Sequence, residues 1–153
     1  MDTEKPGLER LQSVERRLTT LLAGWAAGSA AVGSFLVIAG HRSQREELTR
    51  FGRQTLAWGA VDGVIAGVGV LSRRRRGDLS AGEVTRKERS LRRLLLVNAA
   101  ADIAYVAAGF GIAVRGRGGR TTVRLGTGDG LAIAIQGAFL LALDTAHAME
   151  LEG

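Results

Sequence analysis

Cysteine is absent from this 153-residue chain, so disulfides, thiolate metal sites and cysteine nucleophiles are excluded together. Proline occurs once, at Pro6, which leaves long helices free of internal breaks. Histidine occurs only at His41 and His147, and no Ser–His–Asp set can be assembled around either. Lysine is nearly missing as well: the basic residues are 19 Arg and 2 Lys. The net charge is +6. On a soluble domain that excess points to nucleic acid. Here the arginines flank apolar runs, which points instead to anionic lipid and topology control, with no nucleic-acid partner.

Charge is segregated into blocks rather than spread every three or four residues, as a soluble helical bundle requires. Four apolar stretches lie between the blocks, at about 18–40, 55–72, 94–114 and 130–149. Each approaches the roughly 17–25 residues that cross the hydrocarbon as a helix. The first is longer than the roughly 7–15 residues of a signal-peptide core, and a second follows closely, so it reads as retained. The expected fold is all-α, a four-helix transmembrane bundle in a single domain, with helices one to three extended beyond the bilayer. A basic loop, 73–93, joins spans two and three. With four spans, the side holding both termini and this loop carries thirteen basic residues against eight opposite. The positive-inside bias then places the N- and C-termini in the cytoplasm of a cell with an inner (plasma) membrane.

"SQRE" at Ser43 and "SAGE" at Ser80 both fit a capping box and predict helix starts there. Helix one is expected over about Leu8 to Ala39, followed by a "GHRS" turn. The glycine-rich segment from Arg115 to Gly130 reads as an irregular connection. Its "GTGDG" lacks the βαβ setting that a phosphate-binding loop needs. Gly24/Gly28, Gly59/Gly63, Gly63/Gly67 and the Ala100, Ala104, Ala108 stripe offer small faces for close packing in lipid. They leave open a homo-oligomer or a membrane-protein partner. Sliding span two along the chain onto span three places Leu56, Trp58, Asp62 and Gly69 on Leu96, Asn98, Asp102 and Gly109 at one constant offset, the pattern of an inverted repeat. The run Arg73, Arg74, Arg75, Arg76 reads as a collar for anionic lipid.

The polar residues inside the spans carry whatever chemistry there is. A charged carboxylate at the bilayer centre costs several kcal/mol unless paired, protonated or hydrated, so such groups face the bundle interior. Span two presents Trp58 and Asp62 on one face. Span three presents Asn98, Asp102 and Tyr105, and span four presents Gln136, Asp144 and His147. At about 1.5 Å of rise per residue, Asp62 lies level with Asp102, Asn98 with Asp144, and Tyr105 with Gln136. This acidic and amide cluster is expected to bind a small polar ligand, a cation or a proton. Asp144 and His147 stand one turn apart, but one histidine is a poor basis for a metal site and none is expected. The alternatives are a structural or assembly subunit whose polar layers only set helix register, and a membrane-embedded enzyme with an Asp as general acid. No catalytic residue and no cofactor can be named.

The third and fourth spans carry N-x3-D-x2-Y (Asn98, Asp102, Tyr105) and G-x-G…QG-x-F-L-L-x-x-D (Gly128, Gly130, Gln136, Gly137, Phe139, Leu140, Leu141, Asp144). In these the chain resembles a small family of bacterial four-span membrane proteins of uncharacterised function. That resemblance implies a fold and a compartment and no activity. The family's second span usually has Trp followed by Asn, where this chain has Trp58 and then Asp62.

Overall fold

The computed structural model describes residues 4–116 and 125–152. Among them are four helices, α1 (Glu4–Arg42), α2 (Glu46–Arg74), α3 (Ala81–Gly116) and α4 (Thr127–Glu150). All four are long and apolar enough to cross a membrane. The chain is therefore an all-α, multi-pass membrane protein. The outward faces are apolar, with Phe35, Val64 and Val114 each about two-thirds exposed, as suits contact with lipid tails. Residues 117–124, with Arg117, Arg120 and Arg124 of the expected outer connection, lie outside the described residues.

Helix ends follow local chemistry, with one correction. Ser80 and Glu83 form the expected cap: the Ser80 N–H and hydroxyl donate to the Glu83 carboxylate at 2.9 and 2.8 Å. "SQRE" does not. The Ser43 hydroxyl instead donates back to Ala39 O at 2.7 Å, closing α1, and α2 starts only at Glu46. Gln44 takes the left-handed turn conformation (φ 55°) that leaves no room for a Ser43 cap. α1 is longer than expected at both ends, because nothing before Arg42 breaks it. α4 begins with Asp129 accepting from Gly126 N–H at 2.9 Å and Glu47 of α2 accepting from Gly128 N–H at 2.6 Å. Two carboxylates thus sit on the positive end of α4.

The helices form two antiparallel hairpins, α1–α2 and α3–α4, joined mainly where α2 lies against α4. The backbones of α2 and α3 do not approach; their side chains do. Glycine sets the closeness of each hairpin. A methyl group added to Gly33 would stand 2.8 Å from Gly52 O, and one on Gly52 would stand 2.8 Å from Gly33 O. The second hairpin repeats this with Gly109 and Gly130, at 2.7 and 2.6 Å. Gly40 against Thr49 recurs as Gly116 against Thr127, and Gly59 facing Ala26, Ser29 and Ala30 recurs as Gly137 facing Asp102, Tyr105 and Val106. Every one of these matches keeps a single constant offset from α1 to α3, and a second constant offset from α2 to α4. The internal repeat is thus a tandem hairpin repeat. Its first helix matches the third and its second the fourth, the order of a parallel rather than an inverted repeat. This replaces the inverted match of span two on span three, which rests on sequence identities without matching contacts. Of the expected small-residue stripes, only Gly59 packs tightly; Gly24, Gly28 and Gly67 have no neighbour within 4 Å.

Where the spans end, Val14 of α1, Leu95 of α3, and Ala148 and Leu151 at the end of α4 form one small core on the side that holds both termini. Ion pairs surround it. Arg10 binds Glu88 at 3.0 Å, Arg17 binds Glu150 at 2.5 Å, and both Arg76 guanidinium nitrogens reach Glu15 at 2.8 Å.

Candidate intramembrane polar site

α4 is the most buried of the four helices, and its small residues let α2 and α3 come close. This brings Gln136 to Asp62. Gln136 Nε2 donates to Asp62 Oδ2 at 2.6 Å, while Trp25 Nε1 donates to Gln136 Oε1 at 2.8 Å. Only one orientation of the amide serves both neighbours, since a carboxylate only accepts and an indole N–H only donates. The relay ties α1, α2 and α4 together. Trp25 also stacks on Phe139, with centroids 3.9 Å apart and planes within 6°.

Asp62 is 1% exposed and Asp102 is 3% exposed, so both carboxylates lie inside the bundle. Asp102 lies within electrostatic reach of Asp62 on one side and Asp144 on the other, forming a chain of three acids across α2, α3 and α4. Asn98 faces Asp144 although its side chain stands on the outer surface of α3. Tyr105 is 43% exposed and meets Trp58 edge to face, with centroids 5.6 Å apart. His147 is buried, and its Nδ1 lies 2.7 Å from Leu143 O of its own helix. That contact turns the ring along α4, one turn beyond Asp144. Among the described residues no three His, Asp or Glu side chains are grouped to hold a metal ion.

Two buried polar atoms in the site have no hydrogen-bond partner among the described residues: Asp102 Oδ2 and Trp58 Nε1. One is an acceptor and the other a donor. Leaving such groups unpaired costs roughly 1–3 kcal/mol each, more for a charged one. They belong to one neighbourhood, because Trp58 precedes Asp62 by one turn and packs on Tyr105, three residues after Asp102. By the repeat, Trp58 and Gln136 occupy matched positions, and Asp102 stands where the first hairpin has Ala26. The acid is thus an addition peculiar to the second hairpin.

Sequence reasoning misses Trp25. It lies in a span with no charge, and its only signal is a lone amphipathic ring whose N–H needs a partner once buried. Beside it a groove of about 500 Å³ runs between α1 and α4, walled by Trp25, Gln136, Phe139, Gly24 and Gly28.

The model of a family of unknown function, DUF6992, matches residues 21–145, which takes in nearly the whole site. The chain belongs to the DUF6992 family. No curated protein and no solved structure matches it. Within this DUF6992 chain, every residue of the polar site described above except His147 falls inside the matched segment.

Proposed function

We propose that this protein binds a small polar ligand within the membrane, one that offers both a hydrogen-bond donor and an acceptor. The observation that carries this is the unpaired Asp102 Oδ2 together with the unpaired Trp58 Nε1. A bare cation or a proton satisfies the carboxylate and leaves the indole N–H orphaned, whereas an alcohol, amide or water-like group satisfies both. The Trp25–Gln136–Asp62 relay supports a division of labour. Its groups are already paired across three helices, which suits the fixing of helix register. The Asp102 half, with Asn98 and Asp144 below it and Tyr105 above, is left for the ligand.

The same reading places the protein in a bacterial inner membrane with both termini cytoplasmic, supported by the uneven distribution of Arg. Arg74 and Arg75, exposed and without partners among the described residues, are the members of the 73–76 run suited to anionic lipid; Arg73 and Arg76 are engaged by α1.

The test is thermal melting of the purified protein against a panel of short alcohols, amides and amines. At least one compound is expected to raise the melting temperature of the native protein, and Asp102→Leu and Trp58→Phe to abolish that rise. A rise that survives both substitutions would falsify the assignment.

A further inference from the structure

The two hairpins match at their glycine approaches, so positions where they differ identify what one half has and the other lacks. Arg17 on α1 pairs with Glu150 on α4 at 2.5 Å. At the repeat's offset between α1 and α3, the match of Arg17 is Arg93; at the offset between α2 and α4, the match of Glu150 is Ser72. Ser72 is uncharged and stands on α2, whose backbone does not approach α3, so the repeat supplies Arg93 with no acid. Arg93 makes no hydrogen bond or ion pair with any described residue, nor does Arg89 one turn before it. The position matched to Arg89 in the first hairpin is Ser13. The second hairpin therefore carries two exposed, unneutralised guanidiniums at a place where the first carries one that is paired.

These arginines open onto a specific surface. A groove of about 380 Å³ is lined by Arg89, Arg92, Arg93, Leu96, Val97 and Ala100 of α3. Arg92 is held by Glu152, which leaves the other two to face outward. Beyond Ala100 the face continues with Ala104 and Ala108, all three exposed and spaced one turn apart. Short side chains at this spacing leave a shallow trough along the helix. From Val97 to Ala108 the axial rise is roughly 16 Å, about half of the roughly 30 Å hydrocarbon core and so the depth of one leaflet. The arrangement runs from two guanidiniums, across branched apolar side chains, into an alanine trough. We infer that α3 holds one anionic phospholipid, its phosphate on Arg89 and Arg93 and one acyl chain along Val97, Ala100, Ala104 and Ala108. Charge complementarity selects an anionic head group, and the continuous apolar trough selects a lipid over free phosphate.

Native mass spectrometry of the full chain, titrated with phosphatidylglycerol, phosphatidylcholine of the same chains, or inorganic phosphate, tests this. Native protein is expected to retain one phosphatidylglycerol in preference to phosphatidylcholine, and inorganic phosphate at equal concentration should not displace it. Arg89→Gln/Arg93→Gln is expected to weaken retention by roughly tenfold or more. Arg74→Gln/Arg75→Gln, which removes two exposed charges outside the α3 groove, should keep it within about threefold. Should the first double variant melt early, Ala104→Leu, which fills the trough and leaves both guanidiniums in place, is expected to weaken retention several-fold. Retention unchanged in Arg89→Gln/Arg93→Gln, equal loss in both double variants, or displacement by phosphate overturns the site.

Discussion

Gln136 and Asp62, on different hairpins, share a buried hydrogen bond of 2.6 Å, and the same amide receives the Trp25 indole. Replacing Gln136 by Leu orphans both neighbours at once. The expected cost is about 2–6 kcal/mol, at roughly 1–3 kcal/mol for each of the two orphaned groups. Asp62→Asn keeps an acceptor oxygen facing the amide and should cost less. Thermal melts in detergent compare the two. An Asp62→Asn protein less stable than Gln136→Leu contradicts the relay.

Glycine substitutions should divide sharply. Gly109→Ala drives a methyl group into the α4 backbone, with Gly130 O at 2.7 Å, and should cost about 1–3 kcal/mol as overpacking. Gly33→Ala should behave alike, since its partner carbonyl is at 2.8 Å. Gly24→Ala meets nothing within 4 Å and should be neutral or stabilising by about 1 kcal/mol through helix propensity. Melting temperatures of the three variants decide this; equal losses at Gly24 and Gly109 would remove the hairpin packing.

At the start of α3, hydrogen bonds from the Ser80 backbone and side chain hold the Glu83 carboxyl below the usual carboxylate range. A depressed pKa contributes stability that is complete above the unfolded value, about 4.3, and lost as pH falls through the folded one. The carboxyl resonance of Glu83 should therefore titrate at lower pH in the protein than in a short peptide of the same sequence. Ser80→Ala should move it back up. A peptide-like titration in the native protein rules out the cap.

Reporter fusions check the orientation. A reporter after Ser80 is expected to behave as cytoplasmic and one in the Ser43–Arg45 turn as periplasmic, because the positive-inside bias acts on the short loops next to each span. The reverse pattern would invert the topology and place the Arg89 and Arg93 lipid in the other leaflet.

Much of the molecule was legible from local pattern. Uncharged runs of spanning length dictate helices, because lipid offers the backbone no other partner. The Ser80–Glu83 cap could be read because all of its parts lie within one turn. Ser43–Glu46 has the same letters and fails, because the preceding helix runs on through Arg42 and claims the Ser43 hydroxyl. Helical spacing and depth likewise singled out Asp62, Asp102, Gln136 and Asp144, all of which are buried.

What only the tertiary structure decided is which faces meet. Periodicity gives the level of a residue along its helix but not the order of helices around the bundle. The pairing of α2 with α4 was therefore hidden, and with it the bond from Gln136 to Asp62 and the entry of Trp25. The tandem repeat was hidden for a related reason. It lives in backbone approaches at Gly33, Gly52, Gly109 and Gly130, and a chain with 22 glycines does not mark which of them are pressed against another helix. Sequence set the four apolar spans and the helical faces that carry the acids, since these follow from local composition. Packing decided which polar atoms found partners, because a hydrogen bond needs two groups within about 3 Å and only the assembled bundle brings them there.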